Sequence, residues 1–232
     1  ATRQDLALGE PTMVVLPNGG ESVGAGVSLT IEWTGNPNVA FQVQYTSNYG
    51  ATSTTTDGFE SGVIGPEYTM GGNAPWGATT GATHTGSYAA KAGSIGNSQS
   101  SSMTRTVAGG QVSFWYRVSS EANYDFFSFY IDGVREVQAS GTAGTWTQYS
   151  KSLPSGHTYT LKWEYTKDTS LTGGSDTAWV DDVELVSDIT TWTAITQTAP
   201  GASTAGWTPT TPGGQYKVRI RAAYGPSIFG EW

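Results

Sequence analysis

The chain has 232 residues, a formal net charge of −8 and no cysteine, so disulfides and thiolate metal sites are excluded. The negative charge argues against nucleic acid or an anionic membrane as a partner, and no apolar run reaches the roughly 18 residues of a membrane-spanning helix. Charged residues make up only 13% and glycine contributes 31 residues, which is typical of a secreted β-protein with many turns. No signal peptide is visible at Ala1, and we expect a mature segment of a larger secreted protein.

The first block, residues 10–48, contains two segments that alternate apolar and polar residues with the period of a β-strand. The apolar positions are Leu29, Ile31 and Trp33 in SLTIEWTG, and Phe41, Val43 and Tyr45 in AFQVQYTS. With about three strands, this block is too small to close a sandwich alone.

A polar stretch, NYGATSTTTDG, follows and indicates a linker. The middle block, residues 56–188, is rich in strand patterns, which are clearest in QVSFWYRV, DFFSFYIDG, TWTQYSKSL, HTYTLKWEYTKD and TAWVDDVELV. In the last of these, alternation places Asp181 on the same face as Trp179, Val183 and Leu185. A carboxylate in an otherwise apolar strand face requires an explanation.

The last block, residues 189–232, contains the strand patterns TTWTAITQ and QYKVRIRAAY and is also too short to fold alone. We predict that residues 10–48 and 189–232 together form one small sandwich, and that residues 56–188 form a second sandwich inserted into one of its loops. Three serial elements would instead leave two unstable fragments. The predicted fold class is therefore all-β, with two β-sandwich domains.

Two sets of residues in the outer blocks follow one pattern. They are PNGGE at 17–21 with Gly26, Ile31 and Trp33, and Trp192, Ile195 and Gly214 with YKVRI at 216–220. Together they resemble the small Ig-like or fibronectin-type-III-like domain of secreted surface proteins. Because the match spans both blocks, it supports a split Ig-like sandwich.

The middle block contains a second group of motifs: FESG at 59–62, PW at 75–76, VSFWYRVSSEANYDFFSFYIDG at 112–133, Trp146, HTYTLKWEYTKD at 157–168 and DTAWVDDVELV at 176–186. As a set they resemble bacterial MAM-like jelly-roll domains, which are related in architecture to carbohydrate-binding modules. The resemblance implies an inserted jelly roll. It is less specific for function, because this fold hosts binding, adhesion and spacer roles.

Motifs for catalysis are missing from the sequence. With His84 and His157 as the only histidines and no cysteine, a Cys–His nucleophile is excluded. There is no G-x-S-x-G elbow, no phosphate loop and no H-E-x-x-H zinc motif. The acids on the predicted strands are scattered rather than paired as in a glycosidase. We therefore expect a protein that is not an enzyme.

Acidic residues stand at both ends of the middle block. In the jelly rolls that it resembles, the first and last strands run side by side, and acids at these positions hold a structural calcium ion. The implied charged ligands are Asp57, Glu60, Asp181 and Asp182. Hard carboxylate oxygens are the ligands that calcium prefers. The alternative is that Asp181 or Asp182 caps backbone amides or pairs with Arg105 or Arg117.

The strand patterns also predict a ligand-binding surface. Alternation places one set of side chains opposite the core face: Trp115, Arg117, Phe126, Tyr130, Lys162 and Glu164. Aromatic rings stack on the C–H groups of sugars, and charged groups bind their hydroxyls. The alternative is that loops or the neighbouring domain cover this face.

These patterns favour a non-catalytic carbohydrate-binding module of a secreted bacterial protein, monomeric within a multidomain chain, whose partner is a polysaccharide or cell-surface glycan. The competing prediction is a structural or adhesive spacer module. Six further charged residues match positions of the resembling family, and we expect them to fix turns through hydrogen bonds to the backbone. They are Glu121, Asp125, Asp132, Lys167, Asp168 and Asp176.

Overall fold

A computed structural model describes residues 13–16, 29–34, 40–48, 50–142, 144–189, 191–208, 217–225 and 228–229. Across these ranges the secondary structure consists of β-strands and their connections, without a helix. The all-β fold class is therefore confirmed. In the same ranges, the chain contains no helix that could span a membrane.

The strands are numbered in chain order. They are β1 (Met13–Leu16), β2 (Leu29–Thr34), β3 (Ala40–Thr46), β4 (Thr52–Asp57), β5 (Thr69–Gly72), β6 (Gly77–Thr79), β7 (Ala89–Lys91), β8 (Ser100–Ser119), β9 (Phe126–Ile131), β10 (Val134–Ala139), β11 (Thr147–Thr166), β12 (Thr177–Asp188), β13 (Thr193–Gln197), β14 (Thr204–Trp207), β15 (Lys217–Gly225) and β16 (Ile228–Phe229).

The chain separates into two compact units. One contains the described residues up to Ala51 and from Ile189 onward, and the other is Thr52–Asp188. The first unit has two sheets, ordered β1-β2-β14 and β13-β3-β15-β16, with a core of Phe41, Val43, Ala205 and Ile220. PNGGE at 17–21, Gly26, Gly214 and Tyr216 lie outside the described residues, so the Ig-like assignment stays a prediction.

The segment interpreted as a linker forms strand β4. It pairs antiparallel with β12, from Thr52 opposite Asp188 to Asp57 opposite Val183. Residues 52–56 are all exposed, so they lack the apolar alternation by which strands are recognised. Threonine nevertheless favours an extended backbone, because its branched Cβ fits a pleated surface. The first and last strands of the 52–188 unit therefore lie side by side.

The 52–188 unit is built on two long strands that run through both layers of a sandwich. Residues 110–116 of β8 pair with 147–153 of β11, and residues 100–108 of β8 pair with 158–166 of β11, with a shift of register between the two stretches. Because β8 and β11 belong to both layers, we name each layer after a strand that belongs to it alone. The β12 sheet contains 110–119 of β8, 147–153 of β11, β12, β4, β7 and β6; the β9 sheet contains 100–108 of β8, 158–166 of β11, β9, β10 and β5.

Aromatic side chains join the two layers. The ring of Phe114, in the β12 sheet, lies 4.7 Å from that of Phe129 and 5.6 Å from that of Trp163, both in the β9 sheet. All three side chains are fully buried, as expected for the neighbours of Trp115, Tyr130 and Lys162, which were predicted to lie opposite the core face. Burying each such side chain stabilises the fold by about 1.5–3 kcal/mol. Because neighbouring residues alternate faces, Trp115 and Tyr130 point outward on opposite sides of the sandwich.

A β-bulge interrupts β12 at the two aspartates. Asp181 pairs with Trp115 but Glu184 pairs with Ser113, so β12 has one extra residue here, and Asp182 adopts φ +47°. The extra residue reverses the alternation. Val180 and Val183 both face the core, and Asp181 lies on the outer face. The prediction that Asp181 shares a face with Val183 and Leu185 is therefore wrong.

The bend of β8 depends on Gly110. Its φ is +145°, and a Cβ there would lie 1.9 Å from the carbonyl oxygen of Val186. We expect Gly110→Ala to lower the free energy of unfolding by about 2–4 kcal/mol, from backbone strain and overpacking. The measurement is urea denaturation, which reports stability through the midpoint at constant slope.

Gly133 provides the matched control. It lies in the tight turn between β9 and β10 with φ +79°, and a Cβ there would meet no atom within 4 Å. Gly133→Ala therefore carries only the left-handed backbone cost, about 1–2 kcal/mol. Equal losses in the two variants would contradict the steric role of Gly110.

Candidate functional site

The predicted acids gather where the first and last strands of the 52–188 unit meet. We call Asp57, Glu60, Asp181 and Asp182 the acidic clasp. Asp57 ends β4 opposite Val183, next to the bulge of β12. A Cβ on Gly58 would lie 3.6 Å from Asp182 Oδ1 and 3.9 Å from Asp181 Oδ1. The pairing of first and last strands, which the resemblance implied, is confirmed.

Asp181 caps backbone amides. Its side chain is fully buried, and its Oδ2 accepts the N–H of His84 at 2.7 Å and that of Thr85 at 3.3 Å. Its Oδ1 accepts the N–H of Asp182 at 2.8 Å. Burial raises the pKa of Asp181, and these amides counteract the rise. Amide capping, one of the alternatives considered for this residue, is therefore what the structure contains.

Asp182 and Glu60 hold the adjoining loop, residues 84–88. Asp182 Oδ2 lies 2.6 Å from His84 Nδ1, and its Oδ1 accepts the Thr85 hydroxyl at 2.6 Å. The carboxylate of Glu60 accepts the N–H groups of Ser87 and Tyr88, each at 3.0 Å. The acids therefore fasten this loop to the bulge.

Arg105 and Arg117 do not take part in these contacts. Arg105 lies 3.3 Å from the Tyr68 hydroxyl and 3.9 Å from Glu67. Arg117 lies over the ring of Trp179, 5.3 Å from its centroid. The alternative in which either arginine pairs with the clasp aspartates is therefore not what the structure contains.

The donor chemistry of the clasp suits calcium, since carboxylates are hard oxygen ligands and keep lone pairs after accepting a hydrogen bond. Its carboxylates nevertheless face N–H and O–H donors of residues 59 and 84–88. Among the described residues, three acidic ligand atoms come within 4.8 Å of one another at Glu121, Asp125 and Asp168 instead. Calcium at the clasp stays a prediction.

The structure divides the six predicted ligand-binding residues between two outer faces. Trp115 and Arg117 lie on the β12 sheet. There the His84 ring stacks on Trp115 at 4.0 Å, with an interplanar angle of 14°, and meets the edge of Trp146 at 5.8 Å. The loop residue His84 thus covers one face of the Trp115 ring, as the alternative of a loop-covered face anticipated.

The other four residues lie together on the outer face of the β9 sheet. Lys162 pairs with Tyr130 and Thr166 pairs with Phe126 across β11 and β9. The Lys162 ammonium lies 4.3 Å from the centre of the Tyr130 ring and 3.1 Å from Glu164 Oε2. An aromatic ring, a cation and an anion therefore share this face.

Three small residues and one glutamate form a row across this sheet, which we call the serine row. The register aligns Gly71, Ser102, Glu164 and Ser128 on four neighbouring strands. Ser102 and Ser128 are only 9% and 3% exposed, and the larger Tyr130 and Phe126 flank Ser128 along β9. Tyr130 and Phe126 therefore stand on either side of the row where it crosses β9, and we call this part of the outer face the trough. The sequence does not predict this row, because alternation along a strand shows which side chains share a face but not which residues of neighbouring strands pair.

Neither a protein-family model nor a curated protein sequence matches the chain significantly. Similar solved structures include TmCBM61 in complex with β-1,4-galactotriose, at 16% identity and TM-score 0.41, covering 55% of this chain and 93% of that chain. The CBM22-1 xylan-binding domain from Paenibacillus barcinonensis matches at 13% identity and TM-score 0.40, covering 59% and 96%.

A third similar structure is the K3 cleaved adhesin domain of Lys-gingipain from Porphyromonas gingivalis. It matches at 18% identity and TM-score 0.42, covering 60% of this chain and 100% of that chain. At these identities and TM-scores, the likenesses carry no functional conclusion for this chain.

Substitution of His84 by alanine tests whether this side chain holds the 84–88 loop in place, and the same substitution of His157 is the control. We expect His84→Ala to lower the free energy of unfolding by about 1–2 kcal/mol, because it removes the stack on Trp115 and the contact with Asp182. It should also increase the quenching of tryptophan fluorescence by acrylamide. The control is His157→Ala, whose side chain is 60% exposed and 3.2 Å from Asp132, with an expected loss below about 1 kcal/mol. Equal effects would contradict this role of His84.

Proposed function

We propose that the chain is a non-catalytic carbohydrate-binding module of a larger secreted bacterial protein, and that the glycan binds in the trough of the β9 sheet. The observation that carries this proposal is the placement of Tyr130 and Phe126 on either side of Ser128, with the Lys162–Glu164 pair on the neighbouring strand β11.

The chemistry of the trough matches that of a sugar. The C–H groups of a pyranose ring pack on aromatic faces, while its hydroxyls act as both donors and acceptors. Lys162 supplies a donor and Glu164 an acceptor, and their side chains are 32% and 17% exposed. Ser102 and Ser128 stand on the two strands that neighbour Glu164.

The direction of the trough favours a linear polysaccharide over a single sugar. The serine row crosses strands that lie about 4.8 Å apart, and a pyranose ring is of similar length. Successive sugars would therefore meet successive strands. Trp115 and Arg117 lie on the opposite outer face, so they are left out of this proposed contact surface.

Tyr130 is the residue to test first. Stacking of this kind is worth about 0.5–1.5 kcal/mol, so Tyr130→Ala should weaken polysaccharide binding about three- to tenfold. Retardation in affinity gels and calorimetry on a retained polysaccharide measure the loss. The control is Trp115→Ala, which removes an aromatic ring from the other outer face and should leave affinity unchanged once circular dichroism shows that it is folded.

Two results would contradict the proposal. The first is a loss of binding in Trp115→Ala without a loss in Tyr130→Ala, which would move the site to the β12 sheet. The second is a folded wild-type protein that no polysaccharide retards, which would favour the structural or adhesive spacer.

The calcium ion at the acidic clasp is a second proposal. The support for it is that Asp181 is buried with a raised pKa and lies beside Asp182 and Gly58, where a cation would offset the cost of ionisation. Its role would be to stabilise the contact between β4 and β12.

Calcium added to protein stripped with EDTA should raise the melting temperature, and Asp57→Asn should reduce this rise because it weakens one ligand. Differential scanning calorimetry measures both. Glu184→Gln, on the same strand beyond the bulge, is the control and should keep the full rise. If Asp57→Asn also keeps it, the clasp does not bind calcium.

A further inference from the structure

Three carboxylates converge at one end of the sandwich, away from the acidic clasp in sequence. Glu121 and Asp125 lie in the loop between β8 and β9, and Asp168 follows the end of β11. One oxygen from each lies within 4.8 Å of the others. The sequence predicts only that these residues fix turns, and Asp125 does so, because its Oδ1 accepts the N–H of Asp168 at 3.0 Å.

Two of the carboxylate oxygens in this cluster are buried without a hydrogen-bond donor. Asp125 is fully buried, and its Oδ2 accepts no hydrogen bond. Glu121 Oε2 is also inaccessible and accepts none. A buried charged oxygen without a partner is costly, so such groups are usually paired or coordinate a metal.

A nearby lysine offsets part of the negative charge of the cluster through an ion pair with Asp125. Lys167 Nζ lies 3.6 Å from Asp125 Oδ2, beyond hydrogen-bond distance. It donates instead to Asp176 Oδ2, at 2.5 Å, and Asp176 also accepts the Tyr165 hydroxyl at 2.9 Å. Lys167 is therefore shared between Asp125 and Asp176, and its ion pairs do not include Glu121 or Asp168.

The backbone around the cluster is held in place without a bound ion. The Ser120 hydroxyl donates to the carbonyl of Asp125 at 2.7 Å and accepts the N–H of Gly141 at 3.2 Å. Gly173 lies so close to Glu121 that a Cβ would be 2.7 Å from its Cα. The loop after β11 thus packs against the loop after β8, with the three carboxylates between them.

We propose that Glu121, Asp125 and Asp168 bind a hard divalent cation, for which Ca²⁺ is the probe. Each contributes one carboxylate oxygen, and backbone carbonyls and water complete the coordination that calcium requires. The ion joins the β8–β9 loop to the β11–β12 loop. This site is independent of the glycan trough and of the acidic clasp, and no step of its chemistry depends on either.

The test is calorimetric titration of calcium into the EDTA-treated full chain, with Glu121→Gln and Asp168→Asn as variants. Both substitutions keep the size of the side chain and remove one negative charge. Glu67→Gln, an exposed carboxylate near Arg105, is the control. We expect both variants to bind one calcium fewer per chain than wild type, or to bind it at least tenfold more weakly. A calcium ion at the clasp would remain in all four proteins, so the difference between them reports the cluster.

Thermal melts distinguish a cation site from a network of hydrogen bonds. In EDTA, Glu121→Gln should be at least as stable as wild type, because it relieves repulsion among the carboxylates. In calcium, wild type should gain more stability than this variant. The proposal is overturned if Glu121→Gln and Asp168→Asn bind calcium like wild type, or if calcium stabilises wild type no more than the variants.

Discussion

The pairing of β8 with β11 is the interaction on which the rest of the 52–188 unit depends. Each strand has 20 residues and belongs to both layers, so the same pair of strands forms the two sheets and the bend between them. Phe114 and Trp163, one on each strand, then meet across the core at 5.6 Å. Which residues face outward on each sheet follows from this arrangement. Tyr130 and Trp115 are therefore on opposite surfaces, although their local sequence patterns are alike.

The bulge of β12 changes the alternation of inward and outward side chains within one strand. A regular strand would direct Asp181 toward the same side as Val183, where an ionised carboxylate would lie in the core. With one extra residue, Val183 returns to the core and Asp181 meets the amides of residues 84, 85 and 182. The two adjacent aspartates are thus compatible with a buried strand because the strand is not regular. Through their contacts with residues 84 and 85, the two aspartates also fix this loop next to Trp115.

Alternation alone was sufficient to predict the core residues of β8, β9 and β11, since each lies in a run where one face is strongly apolar. It could not predict β4, in which residues 52–56 are exposed on both faces, nor the bulge, which depends on a local backbone conformation at Asp182. It also could not assign six outward residues to the correct sheet. That assignment depends on how far β8 and β11 run before they bend, which is a property of paired strands rather than of either sequence segment.

The two outer faces differ in what their aromatic rings contact. On the β12 sheet, Trp115 is stacked against His84, which is itself held by Asp182 and by a hydrogen bond from its backbone N–H to Asp181. A sugar would have to displace a fixed ring there, with the loss of these contacts. On the β9 sheet, the Tyr130 ring is contacted by the ammonium of Lys162, which stands on a flexible side chain and can turn toward a hydroxyl at little cost. The cost of displacement, rather than the number of aromatic residues, therefore favours the β9 sheet as the proposed glycan surface.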